Sequence, residues 1–270
     1  MSYMKLRYWI DINKIDWYFL SSNPNAIELL KNNPDNIKWW VISNNPNAIE
    51  ILKPNKIYWS NLSKNPNAIS LLKANPDKIN WIYLCLNPNA IEIIKDNPDK
   101  IDWYYLSSNP EAISLLKENI DKINWSNLSK NPNAISLLKE NINKINWYEL
   151  SANPNAIELL KKNKDKIDWH KLSSNPNAIE LIKNNPDKIN WDWLSINPNA
   201  ISILQDNQDK INWNLISLNP GIFTYDYEKI KNNFKFLGEE IIAKALHPSR
   251  LFNLMKIYNK NDVYNSYFNY

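Results

Sequence analysis

Few residues in this chain carry the side chains that catalysis or metal binding requires. The two histidines, His170 and His247, lie far apart in different sequence contexts, and the single cysteine, Cys85, belongs to no His/Cys spacing typical of a metal site. Only 2 glycines occur, which argues against the Gly-rich loops that hold phosphates. The carboxylates form periodic rows rather than an isolated pair. We therefore predict a protein that is not an enzyme and holds no metal and no cofactor.

Composition bounds the class of protein further. Apolar residues make up 44% of the 270 residues, enough for a sizeable core. The formal net charge of +4 comes from 32 basic and 28 acidic residues, which indicates a mixed surface and gives weak support for nucleic-acid binding. No apolar run reaches membrane-spanning length, and no signal-peptide pattern follows Met1. We expect an intracellular protein that is neither secreted nor membrane-spanning.

An internal repeat organises the chain. An Asn-Pro pair recurs every 22 residues, except for a step of 20 between Asn45 and Asn65, and a tryptophan stands six residues before each pair. Such a period is the signature of stacked repeats. The pairs begin at Asn23, Asn45, Asn65, Asn87, Asn109, Asn131, Asn153, Asn175, Asn197 and Asn219. The tryptophans are Trp17, Trp39, Trp59, Trp81, Trp103, Trp125, Trp147, Trp169, Trp191 and Trp213.

Each repeat predicts two short helices. Asn before Pro favours a helix start, because Asn caps free N–H groups and Pro presets φ. Ala26, Ile27, Leu29 and Leu30 then form one apolar stripe. The second helix carries the Trp, and the preceding Asp or Asn is a candidate N-cap; this helix begins either there or at the preceding Pro. The repeated Asn is also expected to form a hydrogen-bond ladder along the stack.

Helices of about two turns are unstable alone, so each repeat must bury its stripe against its neighbours. The fold class predicted is therefore all-α, an α-solenoid of about ten 22-residue repeats with distinct N- and C-terminal caps. Residues 1–11 form the N-terminal cap, residues 12–220 the repeats, and residues 221–270 the C-terminal capping helices and tail. In the 20-residue unit we expect a tighter connection between the helices.

The tryptophan ladder has two interpretations. Aromatic rows can be stacking platforms for single-stranded nucleic acid, but such platforms need a basic groove, and here a Lys row stands beside an acidic row. Each Trp also has Ile two residues before it and Leu three after it. We therefore interpret the ladder as part of the core and do not expect nucleic acid as a partner.

The repeat resembles a known kind of protein. Tandem Trp-x-x-Leu-Ser-x-Asn-Pro-Asn-Ala-Ile arrays are similar to uncharacterised repeat proteins of large double-stranded DNA viruses of amoebae and algae. The stretch from Glu239 to Arg250 is similar to a terminal segment of many proteins of those viruses. The resemblance covers about residues 12–257. It implies a viral origin, with the host cytoplasm or the virion as location, and no particular activity.

The two positions between Trp and Leu vary most among the repeats, and they are more aromatic toward the N-terminal half. Tyr and Trp are common in binding hot spots. The hypothesis is a partner-binding surface; the alternative is that one residue of each pair packs against the next repeat. The candidate residues are Tyr18, Phe19, Trp40, Tyr83, Tyr104 and Tyr105.

These features favour a non-enzymatic scaffold that binds another protein. A structural role, as a minor capsid or virion-associated component, is the alternative, and a nucleic-acid-binding solenoid ranks third. The segment from His247 to Arg250 is interpreted as a helix end followed by a turn, with phosphate binding as its alternative. The sequence leaves the partner's identity and the oligomeric state open.

Overall fold

The computed structural model describes the backbone of residues 3–245, with side chains through residue 235 and at Gly238. Of these, residues 3–224 form one compact unit, and residues 225–245 belong to a second. The described part of the second unit consists essentially of one helix, Tyr227–Ala245. The segment from His247 to Arg250 and the expected tail lie outside the described residues.

The first unit is the predicted all-α solenoid of ten tandem repeats. One helix of each repeat begins at the Trp and is called the Trp helix. These helices are Trp17–Ser22, Trp39–Ile42, Trp59–Ser63, Trp81–Leu84, Trp103–Leu106, Trp125–Lys130, Trp147–Ser151, Trp169–Ser173, Trp191–Ser195 and Trp213–Ile216. The other begins at the repeated Ile and is called the Ile helix. These helices are Ile27–Asn32, Ile69–Ala74, Ile91–Lys95, Ile113–Glu118, Ile135–Glu140, Ile157–Lys162, Ile179–Lys183 and Ile201–Asp206.

Short 3-10 turns precede both kinds of helix. Most Asn-Pro pairs open one before the Ile helix: Pro66–Ala68, Pro88–Ala90, Pro110–Ala112, Pro132–Ala134, Pro154–Ala156, Pro176–Ala178 and, after the last Trp helix, Pro220–Ile222. The turns before the Trp helices are Ile12–Lys14, Pro34–Asn36, Pro54–Lys56, Pro76–Lys78, Pro98–Lys100, Ile120–Lys122, Ile142–Lys144, Lys164–Lys166, Pro186–Lys188 and Gln208–Lys210. Where a Pro precedes the Trp helix, it therefore begins a separate 3-10 turn. The Trp helix itself begins at the Trp, and the residue just before the Trp is its N-cap.

The N-cap prediction is confirmed at the Trp helices. The carboxylate of Asp102, for example, accepts a hydrogen bond from the N–H of Tyr105 at 3.1 Å. Asp16, Asn80 and Asn124 cap their helices in the same way. Lys38 and Tyr58 stand at the equivalent positions of the second and third Trp helices and make no side-chain cap bond.

The core runs between the two helical layers. Each repeat contributes fully buried small and branched side chains, such as Leu62, Ala68 and Leu72 in the third. The tryptophans, which the sequence predicts as core, pack against this core but are only half-buried. Their rings therefore border the core rather than fill it.

The Asn of each Asn-Pro pair forms the predicted ladder. Asn131 is typical: its side-chain oxygen accepts from the N–H of Asn133, and its amide donates to the carbonyls of Ser107 and Asn109 in the preceding repeat. All ten such Asn residues are buried and make both inter-repeat bonds. Because every bond is satisfied, burying these amides costs little.

The Ser after the repeated Leu also joins successive repeats. In Ser107, the hydroxyl donates to the carbonyl of Trp103 and accepts from the N–H of Asn124 in the next repeat. Cys85 takes this position in the fourth repeat and accepts from the N–H of Asp102 with its sulfur, 3.4 Å away. The sulfur therefore keeps the inter-repeat bond that the Ser hydroxyl makes in the other repeats.

The 20-residue unit is shorter at the position of its Ile helix. In place of an α-helix, Pro46–Ile51 forms a 3-10 helix, followed closely by the turn Pro54–Lys56. A 3-10 helix rises about 2.0 Å per residue against about 1.5 Å in an α-helix, so fewer residues cover a similar distance. The ladder crosses this unit unchanged, since Asn65 donates to the carbonyls of Ser43 and Asn45 at 3.1 and 2.8 Å.

The solenoid closes on itself. The amide of Asn23 in the first repeat donates to the carbonyls of Ser217 and Asn219 in the last, both at 3.0 Å. The N–H of Asp16 donates to the Ser217 hydroxyl at 2.9 Å. The same bonds join each of the nine other pairs of neighbouring repeats. Residues 3–224 therefore form a ring. Ten repeats then share one full turn, on average about 36° each.

A two-stranded sheet stands where a tenth Ile helix would begin. Strand β1 (Met4–Leu6) pairs with strand β2 (Phe223–Tyr225), which follows the last Asn-Pro turn. Strand β1 also contacts the first Ile helix, Ile27–Asn32. Residues assigned to the N-terminal cap thus pair with the chain that follows the last repeat. In most repeats the Trp helix contacts the Trp helix of the next repeat, and the Asn-Pro turns of most successive repeats also contact each other.

Candidate partner-binding surface

The two variable positions after each Trp have different environments. The second is half-buried or buried in all ten repeats, whereas the first is exposed in all but Ser126. The helical turn explains the difference, because adjacent residues point about 100° apart and only one can face away from the neighbouring repeat. The first position is therefore available to a partner, and the second packs against the neighbouring repeat.

The six candidate residues divide accordingly. Tyr18, Trp40 and Tyr104 are exposed, with 37%, 46% and 54% of their surfaces accessible. Phe19, Tyr83 and Tyr105 are half-buried. The exposed residues could contact a partner directly, and the half-buried ones could support them.

The structure brings these residues together in two aromatic clusters. In the first cluster the Tyr18 ring lies 5.0 Å from Phe19 and 5.1 Å from Trp40, between ring centres. In the second, Tyr105 lies 5.1 Å from Tyr104 and 6.4 Å from Tyr83, both edge to face. Edge-to-face packing holds aromatic rings in defined orientations.

A cleft of about 510 Å³ lies in the third repeat, between the clusters. Trp40 of one cluster and Tyr83 of the other contribute to its wall, and Tyr58 and Trp59 complete the aromatic part. The polar lining consists of Ser60, Asn61 and Asn80. Its volume lies in the range usual for ligand sites, roughly 300–1,000 Å³.

Sequence reasoning missed Tyr58, which is 52% exposed. The signal was present, because Tyr58 stands at the N-cap position where eight repeats carry Asp or Asn. A residue that gives up a helix cap and exposes an aromatic ring is a better candidate than one at a freely varying position.

Positive charge lies beside the cleft. The Lys64 ammonium is 3.9 Å from the centre of the Tyr83 ring, and burial lowers the pKa of Lys64 from its ordinary value. In the seventh repeat, Glu149 stands at the position that Tyr83 has in the fourth. Glu149 forms ion pairs with Lys130 and Lys171 at 3.5 and 3.8 Å.

Most rings of the tryptophan ladder are covered by lysine. A Lys from the following turn places its ammonium 4.3 to 4.9 Å from the ring centre, as Lys100 does over Trp81. The same pairing joins Lys14–Trp213, Lys56–Trp39, Lys78–Trp59, Lys122–Trp103, Lys144–Trp125, Lys188–Trp169 and Lys210–Trp191. A base that stacked on these rings would have to displace the lysines.

The residues with catalytic potential are not brought together. Cys85 is buried, and this burial raises the pKa of its thiol. His170 lies exposed on another repeat, and His247 is outside the described residues. Within residues 3–245, no group of three or more His, Cys, Asp or Glu side chains is placed to hold a metal ion. None of the helices in the same part of the chain is long and apolar enough to cross a membrane.

Comparison with known proteins gives no relative. No family model, no curated protein and no solved structure matches the chain.

Proposed function

We propose that the ring is a non-enzymatic scaffold that binds a protein partner through the aromatic residues of its first five repeats. The observation that carries this proposal is that, at the first variable position, three exposed aromatic side chains lie in the first five repeats and one in the last five. At the first variable position, repeats one to five carry Tyr18, Trp40, Ser60, Ile82 and Tyr104, whereas repeats six to ten carry Ser126, Tyr148, His170, Asp192 and Asn214.

Rigidity supports the same proposal. Aromatic hot spots contribute most when little conformational entropy is lost on binding. Here the aromatic side chains belong to a closed solenoid whose repeats are joined by buried hydrogen bonds. Within each cluster these side chains also pack against one another. An origin in a large DNA virus, and an intracellular or virion location, belong to this proposal and rest on the sequence resemblance.

The alternative structural role has less support. An open solenoid can extend a filament through its terminal repeats, but here the first and last repeats bind each other. A virion component of this kind would have to assemble through the faces of the ring. Nucleic-acid binding stays third, because the lysines nearest to the tryptophans lie over their rings.

Capture from a host-cell extract tests the proposal. The wild-type protein, a Trp40→Ala/Tyr104→Ala variant and a Tyr148→Ala variant are immobilised, and the proteins retained are quantified. We expect specific proteins to be lost by the double variant and kept by Tyr148→Ala, whose tyrosine is equally exposed but lies in the polar half. Circular dichroism should show that all three remain folded.

Two results would contradict the proposal. One is an identical set of retained proteins for the three forms. The other is retention that disappears on nuclease treatment and falls steeply with salt, which would indicate nucleic-acid binding.

A further inference from the structure

Lys64 and Lys130 occupy the same place in two copies of one sequence. The chain from Trp59 to Lys73 is identical, residue for residue, to the chain from Trp125 to Lys139. In both copies the lysine stands at the C-terminal end of the Trp helix, where the helix dipole favours a cation. Any difference in how the two ammonium groups are compensated therefore comes from the neighbouring repeats.

The repeat that follows supplies a carboxylate to Lys130 and none to Lys64. Glu149, at the second variable position of the seventh repeat, lies 3.5 Å from the Lys130 ammonium and 3.8 Å from that of Lys171. At the same position the fourth repeat carries Tyr83, whose ring centre lies 3.9 Å from the Lys64 ammonium. Among the residues that the structure describes, no carboxylate lies within ion-pair distance of Lys64.

The charge of Lys64 is therefore only partly compensated. Its side chain is half-buried, and loss of hydration lowers the pKa of the ammonium from its ordinary value. The face of an aromatic ring attracts a cation through its quadrupole, which is a weaker attraction than that of a full negative charge. An anion that reached Lys64 would gain more there than beside a fully hydrated lysine, because partial burial strengthens the attraction.

Lys64 is in contact with the second aromatic cluster. Tyr83, which it covers, packs edge to face against Tyr105 with 6.4 Å between ring centres, and Tyr105 contacts the exposed Tyr104. A protein segment that docks on this cluster therefore comes close to an ammonium group that lacks a carboxylate partner.

We propose that Lys64 binds a carboxylate of the protein partner, an Asp or Glu side chain that takes the place Glu149 has beside Lys130. A carboxylate is the anion that the identical lysine binds within the chain itself. The partner would thus combine an acidic side chain with a surface that packs on tyrosine rings. This inference rests on the proposed protein-binding function and names a group that the partner carries.

Fluorescence anisotropy with labelled decaglutamate tests the inference on the full chain. We expect saturable binding of decaglutamate and none of decaglutamine. Lys64→Met should weaken decaglutamate binding about tenfold, as for loss of a charged contact. Lys130→Met is the matched control, because it removes the same charge from the same local sequence. It should leave the affinity unchanged, since Glu149 already pairs with Lys130.

Substitution of Tyr83 gives a second test that keeps Lys64 in place. Tyr83→Glu introduces the carboxylate that the seventh repeat has as Glu149, so that an internal ion pair competes with the ligand. Tyr83→Gln removes the same aromatic ring and adds no charge. We expect Tyr83→Glu to weaken decaglutamate binding at least fivefold more than Tyr83→Gln does.

Three outcomes would overturn the inference. They are absence of saturable decaglutamate binding, equal loss in Lys64→Met and Lys130→Met, and equal affinities of Tyr83→Glu and Tyr83→Gln. Binding of a phosphoserine decapeptide without binding of decaglutamate would assign Lys64 to a phosphate instead. If decaglutamate fails while Trp40→Ala/Tyr104→Ala still loses specific proteins, the scaffold proposal stands and only the carboxylate contact is wrong.

Discussion

The side-chain amide of Asn23 donates a hydrogen bond to the main-chain carbonyl of Asn219, 3.0 Å away. The two residues open the first and the last Asn-Pro turns of the ring. The corresponding bond between Asn131 and Asn109, in the middle of the chain, is 2.7 Å long. The junction between the ends therefore has the chemistry of an internal junction, and this equivalence can be measured.

Ring closure predicts that Asn23→Ala and Asn131→Ala destabilise the protein by similar amounts. Each removes the amide donor from two buried carbonyls, of which only that of Asn219 or Asn109 keeps a second donor, the N–H of Ile222 or Ala112, at a cost of about 1–3 kcal/mol. In an open array, the Asn23 amide would face water and its loss would cost only a helix cap. Denaturant unfolding of the two variants gives the comparison. A much smaller effect of Asn23→Ala would argue against closure.

Hydrogen exchange provides an independent check of closure. The N–H of Asp16 donates to the hydroxyl of Ser217 at 2.9 Å, as the N–H of Asn124 does to Ser107. We expect the two N–H groups to exchange at comparable slow rates. Replacing Ser217 with Ala should speed exchange at Asp16 and leave Asn124 unaffected. Fast exchange of Asp16 in the wild-type protein would contradict the ring.

Gly221→Ala should weaken the packing of the last Asn-Pro turn against the preceding repeat. An added Cβ would lie 2.6 Å from the Ile201 side chain and 2.7 Å from the Pro198 carbonyl, closer than atoms can approach. Overpacking of this kind costs roughly 1–3 kcal/mol. Gly238→Ala is the control, because nothing lies within 4 Å of its added Cβ and Ala favours a helix by about 1 kcal/mol. Thermal unfolding should separate the two, and equal midpoints would contradict the close contact at Gly221.

Cys85 predicts a pH dependence that Cys85→Ser removes. Burial raises the pKa of the thiol in the folded protein, so the folded state holds this proton more tightly than the unfolded state does. The free energy of unfolding should be unaffected at low pH and should fall as pH rises past roughly 8.5, the ordinary pKa of cysteine. Unfolding of wild type and Cys85→Ser between pH 7 and 10 measures this. A constant difference over that range would contradict the burial argument.

Lys38→Asn should stabilise the second Trp helix. Lys38 makes no side-chain cap bond, whereas Asn at the same position of other repeats caps through its side-chain oxygen, as Asn124 does. A restored cap contributes about 0.5–2 kcal/mol. Asn124→Ala, which removes such a cap, should shift the unfolding midpoint in denaturant in the opposite direction. A decrease in stability for Lys38→Asn would show that the lysine has another structural role.

Much of the fold follows from local signals in the sequence. Asn before Pro specifies the turn and the ladder, and Asp or Asn before Trp specifies the helix start, because these bonds form within a few residues or between adjacent copies. Closure could not be derived this way, since it depends on small rotations that add up over all ten repeats. One hint was present: the repeat pattern starts partway through a unit, at Ile12, and ends soon after Asn219.

The candidate surface was predictable in part. The choice of aromatic pairs anticipated the clusters around Tyr18 and Tyr105, because both positions lie on the same helix turn. The cleft at Tyr58 depends on a shortened neighbour and on a lost cap, and its shape arises only when three repeats are assembled.

The junction of Asn23 with Asn219 has a consequence for how the protein loses its structure. Open repeat arrays fray, because a terminal repeat has one neighbour and melts first. In the ring every repeat has two neighbours. Unfolding must therefore begin by breaking an interface between two fully packed repeats. We therefore expect a single cooperative unfolding transition for residues 3–224, and protease cleavage there only after the whole ring has opened.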